Sequence, residues 1–332
     1  MRFRFRDLHP QVSFGTASDR YAGWLGQIYS RERYEGRITR RTHEVGGRPF
    51  VEEVLPVECV EEYFEHFGAL ELDSTFYRPL LDEHLHPTET FHLLRTYAGH
   101  LKEGDRVFLK APQAVVAPRL RRGGGFVANP GYLDADLFTH RFYAPAVKLL
   151  HGHLAGILFE QEYRRAAERD AVEDEAADLE RFFRCIPDDK RYHLELRTET
   201  YLAAPVFDVL QRLGVGQAFS HWTWLPPLAE QFSRAGERFF NAGGEVLMRL
   251  MTPHGMRYED AYAKAHPFDR LVEGMLSGRM LDDTAAIVRR AVTAGRHVTV
   301  IVNNRSGGNA PLIVEKLVEK VRPGALPPSS EG

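Results

Sequence analysis

The chain has 332 residues, 43% of them hydrophobic and 27% charged, with a formal net charge of −3. These are the proportions of a globular protein with room for one large barrel or two ordinary domains, and the charge gives no long-range pull toward nucleic acid or an anionic membrane. Two cysteines, Cys59 and Cys185, are too few for a disulfide framework and match no metal-binding spacing.

No run approaches the ~18 apolar residues of a membrane span. The alternating Arg and Phe of residues 1–10 contain no apolar signal core. A cytoplasmic protein is the default expectation.

Taken in order, short apolar runs read as strands at 12–16, 69–73, 106–111, 156–160, 191–197, 216–220, 246–250 and 297–302. Most carry few charges before their last residues, as strands buried on both faces of a parallel sheet do. Helical spacing of apolar residues appears at 57–67, 88–101, 166–185, 205–213, 281–294 and 311–321. Gly68, Gly104, Gly214 and Gly295 stand at or just past four of the helix ends, where a left-handed cap needs glycine. Eight strand–helix repeats predict an α/β fold, a single (β/α) barrel of TIM type over residues 1–322 with right-handed crossovers. Polar inserts at 31–56, 118–132 and 223–244 are expected as long loops over the C-terminal mouth. Residues 323–332 are expected to form a disordered tail.

Polar residues recur where the apolar runs end, and the C-terminal mouth is where a barrel builds its active site. Glu71 and Asp73 are two apart in a strand, so both enter the barrel while Leu72 packs on the helices. His193, Glu195 and Arg197 share a face in the same way. Two close carboxylates repel unless a cation lies between them. Asp73, Glu195 and Glu71 are therefore the acid/base candidates, with a buried ion-pair network involving Lys110 or Arg197 as the structural alternative.

Lys110, Arg197 and Arg249 are the candidates for holding anionic groups, with Glu160 beside them. Asn303 and Asn304 would orient hydroxyls, and Tyr77 would line the wall. His221, followed by Trp222 and Trp224, suggests an aromatic platform beside a titratable group. The run Val302 to Pro311, with Gly307 and Gly308, leads into the last helix, where barrels often hold phosphate.

Glu71, Asp73, Glu160, Glu195 and His221 are the residues that could ligate a divalent ion, although their spacing matches no metal motif. No nucleotide-cofactor loop is present. The expected function is an enzyme of hydrolase or isomerase type acting on a small polar ligand, phosphorylated or sugar-like. The alternatives are a nucleic-acid protein using the arginine-rich inserts and tryptophan stacking, and a non-catalytic ligand-binding protein. Oligomeric state is not legible.

Several strings resemble the YecE-like family, known as the domain of unknown function 72. They are Phe14 to Thr16 followed by Tyr21, Trp24 and Tyr29; Glu71 to Pro79; Phe108 to Pro112; Gly156 to Phe159; Leu194 to Arg197; Met248 to Leu250; and Val302 to Asn304 with Gly308 and Ala310. The resemblance runs from Val12 to Leu317. It implies a TIM-related barrel with polar residues gathered at one mouth, and no settled activity. Four places differ from the family's usual residues: Ala17, Ser18 and Asp19 after the first strand, Glu160, Thr198 and His221.

Overall fold

A computed structural model describes residues 3–321. All eight expected strands are present, their ends shifting by no more than two residues. They are β1 (Val12–Ala17), β2 (Ala69–Leu72), β3 (Arg106–Lys110), β4 (Leu154–Glu160) and β5 (Tyr192–Glu195), then β6 (Gly216–Gln217) and β7 (Phe219–His221), which are two halves of one expected strand, β8 (Glu245–Leu250) and β9 (His297–Val302). Their order in the sheet is β6-β5-β4-β3-β2-β1-β9-β8-β7. Every pairing is parallel. The two edges, β6 and β7, are separated in sequence only by Ala218, so the sixth strand closes the ring by pairing with β5 through one half and β8 through the other.

Period-two alternation sorts the side chains. Outward residues such as Phe14, Leu72, Leu109, Leu196 and Val300 join the main core between strands and helices. Leu158 is not one of them: it packs inside the barrel with Ala69, Phe108, Leu247 and Ile301. That parity is forced, since Glu160, two residues on, also points inward. A Cβ on Gly156 would run into the Phe108 ring, so glycine there makes room for the phenylalanine that fills the barrel.

The interior is layered as in other barrels. Below the apolar layer, Arg106 donates to Glu245 at 2.6 Å and to Ser13 at 3.3 Å, and Glu245 accepts from Thr299 at 2.6 Å. Above it lie the polar strand ends.

The inserts are more ordered than loops. Residues 31–56 contain an antiparallel hairpin, Thr39–Val45 with Arg48–Val54, turning at Gly46 and Gly47, both at positive φ. A second hairpin, Arg119–Arg122 with Gly125–Ala128, occupies the next insert. The third insert is mainly the return crossover and carries the helix Leu228–Arg234. No described helix is long and apolar enough to cross a membrane. The tail expected from residue 323 lies outside the described residues.

Candidate functional site

Glu71, Lys110, Glu160, Glu195, Arg197 and Arg249 do meet at the C-terminal mouth, and they meet one another. Arg249, 1% exposed, donates Nε and Nη2 to the two oxygens of Glu71, each at 2.7 Å. Its Nη1 reaches Glu160 at 3.0 Å and also bonds Glu195. Arg197 takes the other oxygen of Glu195 at 2.7 Å and lies 3.0 Å from Glu160. Lys110 lies 2.8 Å from Glu160. Glu160 and Glu195 are register partners on adjacent strands, two like charges side by side that Arg197 and Arg249 bridge.

Three carboxylates and three cations sum to zero. Burial opposes ionisation of Glu160, but Arg197, Lys110 and Arg249 outweigh it and hold its carboxyl well below the usual range. Glu195 is lowered too, where burial is outweighed by Arg249 and Arg197. Aromatic faces cover the network. Lys110 Nζ sits 4.2 Å from the Phe76 ring centre and the Arg197 guanidinium 4.8 Å from that of Trp222. The cations expected to hold a ligand's anionic group are thus already paired with the protein's own carboxylates.

The remaining expected residues divide. His221 has the outward parity of Phe219 and pairs in register with the outward Leu250. Its ring lies 4.3 Å from that of His254, and burial pushes its pKa down to about 3. It therefore stands apart from the charged mouth. Asn303 caps the turn after β9 by accepting from Arg305 N at 3.0 Å. Asn304 Oδ1 accepts from Trp24 Nε1 at 3.2 Å and from Ala310 N at 2.8 Å, which makes it a brace between loops. Among the described residues no three His, Cys, Asp or Glu side chains converge as a metal site. Glu71, Glu160 and Glu195 turn their oxygens to arginine and lysine, and His221 faces away from them. Three arginines of the first insert are also engaged, Arg33 with Glu61, Arg37 with Glu58 and Arg40 with Glu53.

Asp73 is different. It stands outside the network, half-buried, accepting from Ser18 Oγ at 3.0 Å. It lines a mouth cavity of about 670 Å³, walled by the loop after β1, the first hairpin, Tyr77, Tyr258 and Arg305. That volume is ordinary for a small-molecule site. Tyr77 stands at its rim, 73% exposed.

The cavity also contains a residue that sequence reasoning passed over. Asp19 follows β1, lies 1% exposed in the cavity wall and accepts from Tyr97 Oη at 2.8 Å. Burial pushes its carboxyl up to about 6, against the Tyr97 hydrogen bond and the charge of Arg20, with a smaller push from Asp73. Its place at a strand end, beside Ser18 at a left-handed φ of 67°, is the signal that could have found it. A neighbouring groove is lined by Tyr163, Trp222, Trp224 and Tyr258, so the tryptophan platform exists although His221 is not part of it.

The model of the family described as "Protein of unknown function DUF72" matches residues 40–331. The chain belongs to the DUF72 family. Among solved structures, it is similar to a DUF72 family protein from Enterococcus faecalis V583, with a TM-score of 0.56 and 13% identity over 93% of this chain and 95% of that one. It is also similar to a DUF72 family protein from Thermotoga maritima MSB8, with a TM-score of 0.51 and 14% identity over 92% and 96%. No curated protein matches. At these identities the likeness speaks for the barrel fold, which this DUF72 chain shares with both.

Proposed function

We propose that this DUF72 protein is an acid/base enzyme, of hydrolase or isomerase type, that takes a small polar ligand into the cavity at the barrel mouth. The observation that supports this best is a pair of carboxylates on one cavity. Asp73 is open to it and Asp19 is buried in its wall. Two nearby carboxylates of unequal environment divide acid and base roles. Asp73 faces the ligand as the base, and Asp19 is the partner that keeps a proton up to about pH 6. None of the six charged residues of the network lines the cavity, so Glu71 and Glu195 act through architecture rather than contact.

The test is a turnover screen of the full chain against neutral and anionic sugars, their aryl glycosides and sugar phosphates, followed by variants. Asp73→Asn should lose roughly 10²-fold or more, the usual worth of a positioned proton-transfer group. The rate should fall as pH rises through about 6, as Asp19 loses its proton. A parent chain that turns over none of these compounds, or Asp73→Asn at parent rates, overturns the reading.

A further inference from the structure

We infer that the ligand of this cavity carries a carboxylate or phosphate, and that Arg305 is the residue that binds it. This deepens the acid/base reading and rests on it for the site's location alone.

Most cations around the mouth are already paired. At the mouth, Arg249, Arg197 and Lys110 are each bound to protein carboxylates. In the cavity wall, Arg40 pairs with Glu53, Arg20 donates to the Leu55 carbonyl, and Arg41 stands exposed on the hairpin, where water solvates its charge. Arg305 also lines the cavity, yet no described carboxylate lies within ion-pair distance of it. Its Nε is buried and has no protein partner. A guanidinium buried in part and left without an acceptor is costly; the Nη edge, which unlike Nε is not enclosed, is where a ligand oxygen would supply one.

Its setting suits an anion. The guanidinium lies over the Tyr258 ring, 4.4 Å from the centre, which fixes its plane and leaves the N–H edge for a forked contact with a carboxylate or phosphate. The backbone beneath is held as well, since Arg305 N donates to Asn303.

The same loop excludes the usual alternative, an anion on the amides that open the last helix, Ala310–Lys320. Ala310 N donates to Asn304 Oδ1 at 2.8 Å and Leu312 N to Asn309 Oδ1 at 2.9 Å. These amides are occupied by side chains. Anion recognition in this loop therefore falls to the Arg305 side chain, with the acidic group at that end of the ligand and its reacting end toward Asp73.

Isothermal titration of the full chain with glucose 6-phosphate, glucuronate and glucose tests this. The expected result is saturable binding of one or both anionic sugars and at least tenfold weaker binding of glucose. Phosphate and carboxylate are told apart by which of the two binds tighter. Arg305→Gln should weaken the anionic probe by about 10- to 100-fold, the worth of a charge-assisted contact, with a melting temperature no lower than the parent's. Arg305→Lys, which keeps the charge and loses the fork, should fall between. Equal binding of glucose, no binding of any probe, or full affinity in Arg305→Gln overturns the inference. Asp73→Asn separates the two claims. It should still bind the anion while losing turnover, and turnover retained in Asp73→Asn with binding lost in Arg305→Gln would refute the acid/base reading alone.

Discussion

Arg249→Met removes the guanidinium that ties three carboxylates together. Glu160 would keep Lys110 and Arg197, and Glu195 would keep Arg197. Glu71 would lose both of its hydrogen bonds at 1% exposure. The expected loss is therefore that of one stranded buried carboxylate, about 3–5 kcal/mol at pH 7. At about 2–3 °C per kcal/mol for a chain of this size, the melting temperature should fall by roughly 6–15 °C. The pH dependence has a definite sign. In the parent, Glu160 and Glu195 titrate below their usual range, so their contribution is present above the unfolded value of about 4.3 and is lost progressively as pH falls below it toward their lowered folded values. The variant lacks the Arg249 share of that contribution and so has less to lose in acid. The gap between parent and variant should narrow from pH 7 to pH 4. Adding Glu71→Leu should recover a large part of the loss, since the orphaned charge is then gone. Thermal melts of the parent, both single variants and the double variant at the two pH values measure all of this. A loss under 1 kcal/mol at pH 7, or a double variant no better than Arg249→Met, would refute the reasoning.

Asp19→Asn should raise the melting temperature at pH 7. Its folded pKa is raised from 3.8 to about 6, so the parent's stability is fully present below about 4 and lost as pH rises through 6. The gain should be on the order of 2–3 kcal/mol and vanish by pH 4; a lower melting temperature at pH 7 would contradict it. Leu196→Ala, a large-to-small change in the main core, should cost about 2–5 kcal/mol by chemical denaturation, and a loss well under 1 would mean that the faces of β5 are reversed. Asn304→Ala leaves Trp24 Nε1 and Ala310 N without their acceptor and should cost about 1–3 kcal/mol in the same assay; no loss would remove its role as a brace.

The barrel was legible because each strand is a short apolar run and each helix has its own period and stop. Inward parity follows from the two-residue period for Glu71 and Glu195, while Glu160 and Arg249 are legible only as polar residues at strand ends; an outward Leu158 would have turned Glu160 outward as well. The partners were not legible. Arg249 meets residues 178, 89 and 54 positions away, and only closure of the ring brings them to one level. His221 was misplaced because the sixth strand was read as a single run, without its break at Ala218, and its outward parity relative to Phe219 was overlooked. The hairpin of 39–54 was read as a polar loop although Gly46-Gly47 between alternating residues is a hairpin signal; the arginines and glutamates on its exposed faces hid the pattern. Asp19 escapes a sequence reading because its raised pKa comes from burial in the folded chain, and its hydrogen-bond partner Tyr97 is 78 residues away.

The account divides the mouth into a charged floor that holds the barrel and a cavity where Asp73 works. One paired measurement tests that division without any ligand: melting temperatures of Glu195→Gln and Asp73→Asn beside the parent at pH 7. Glu195→Gln weakens the compensation of the buried Arg249 and the partly buried Arg197 and should melt several degrees earlier. Asp73→Asn should melt at the parent temperature or above, as removal of a functional charge often allows. If Asp73→Asn loses several degrees while Glu195→Gln loses none, the roles are reversed and the site must be sought in the network.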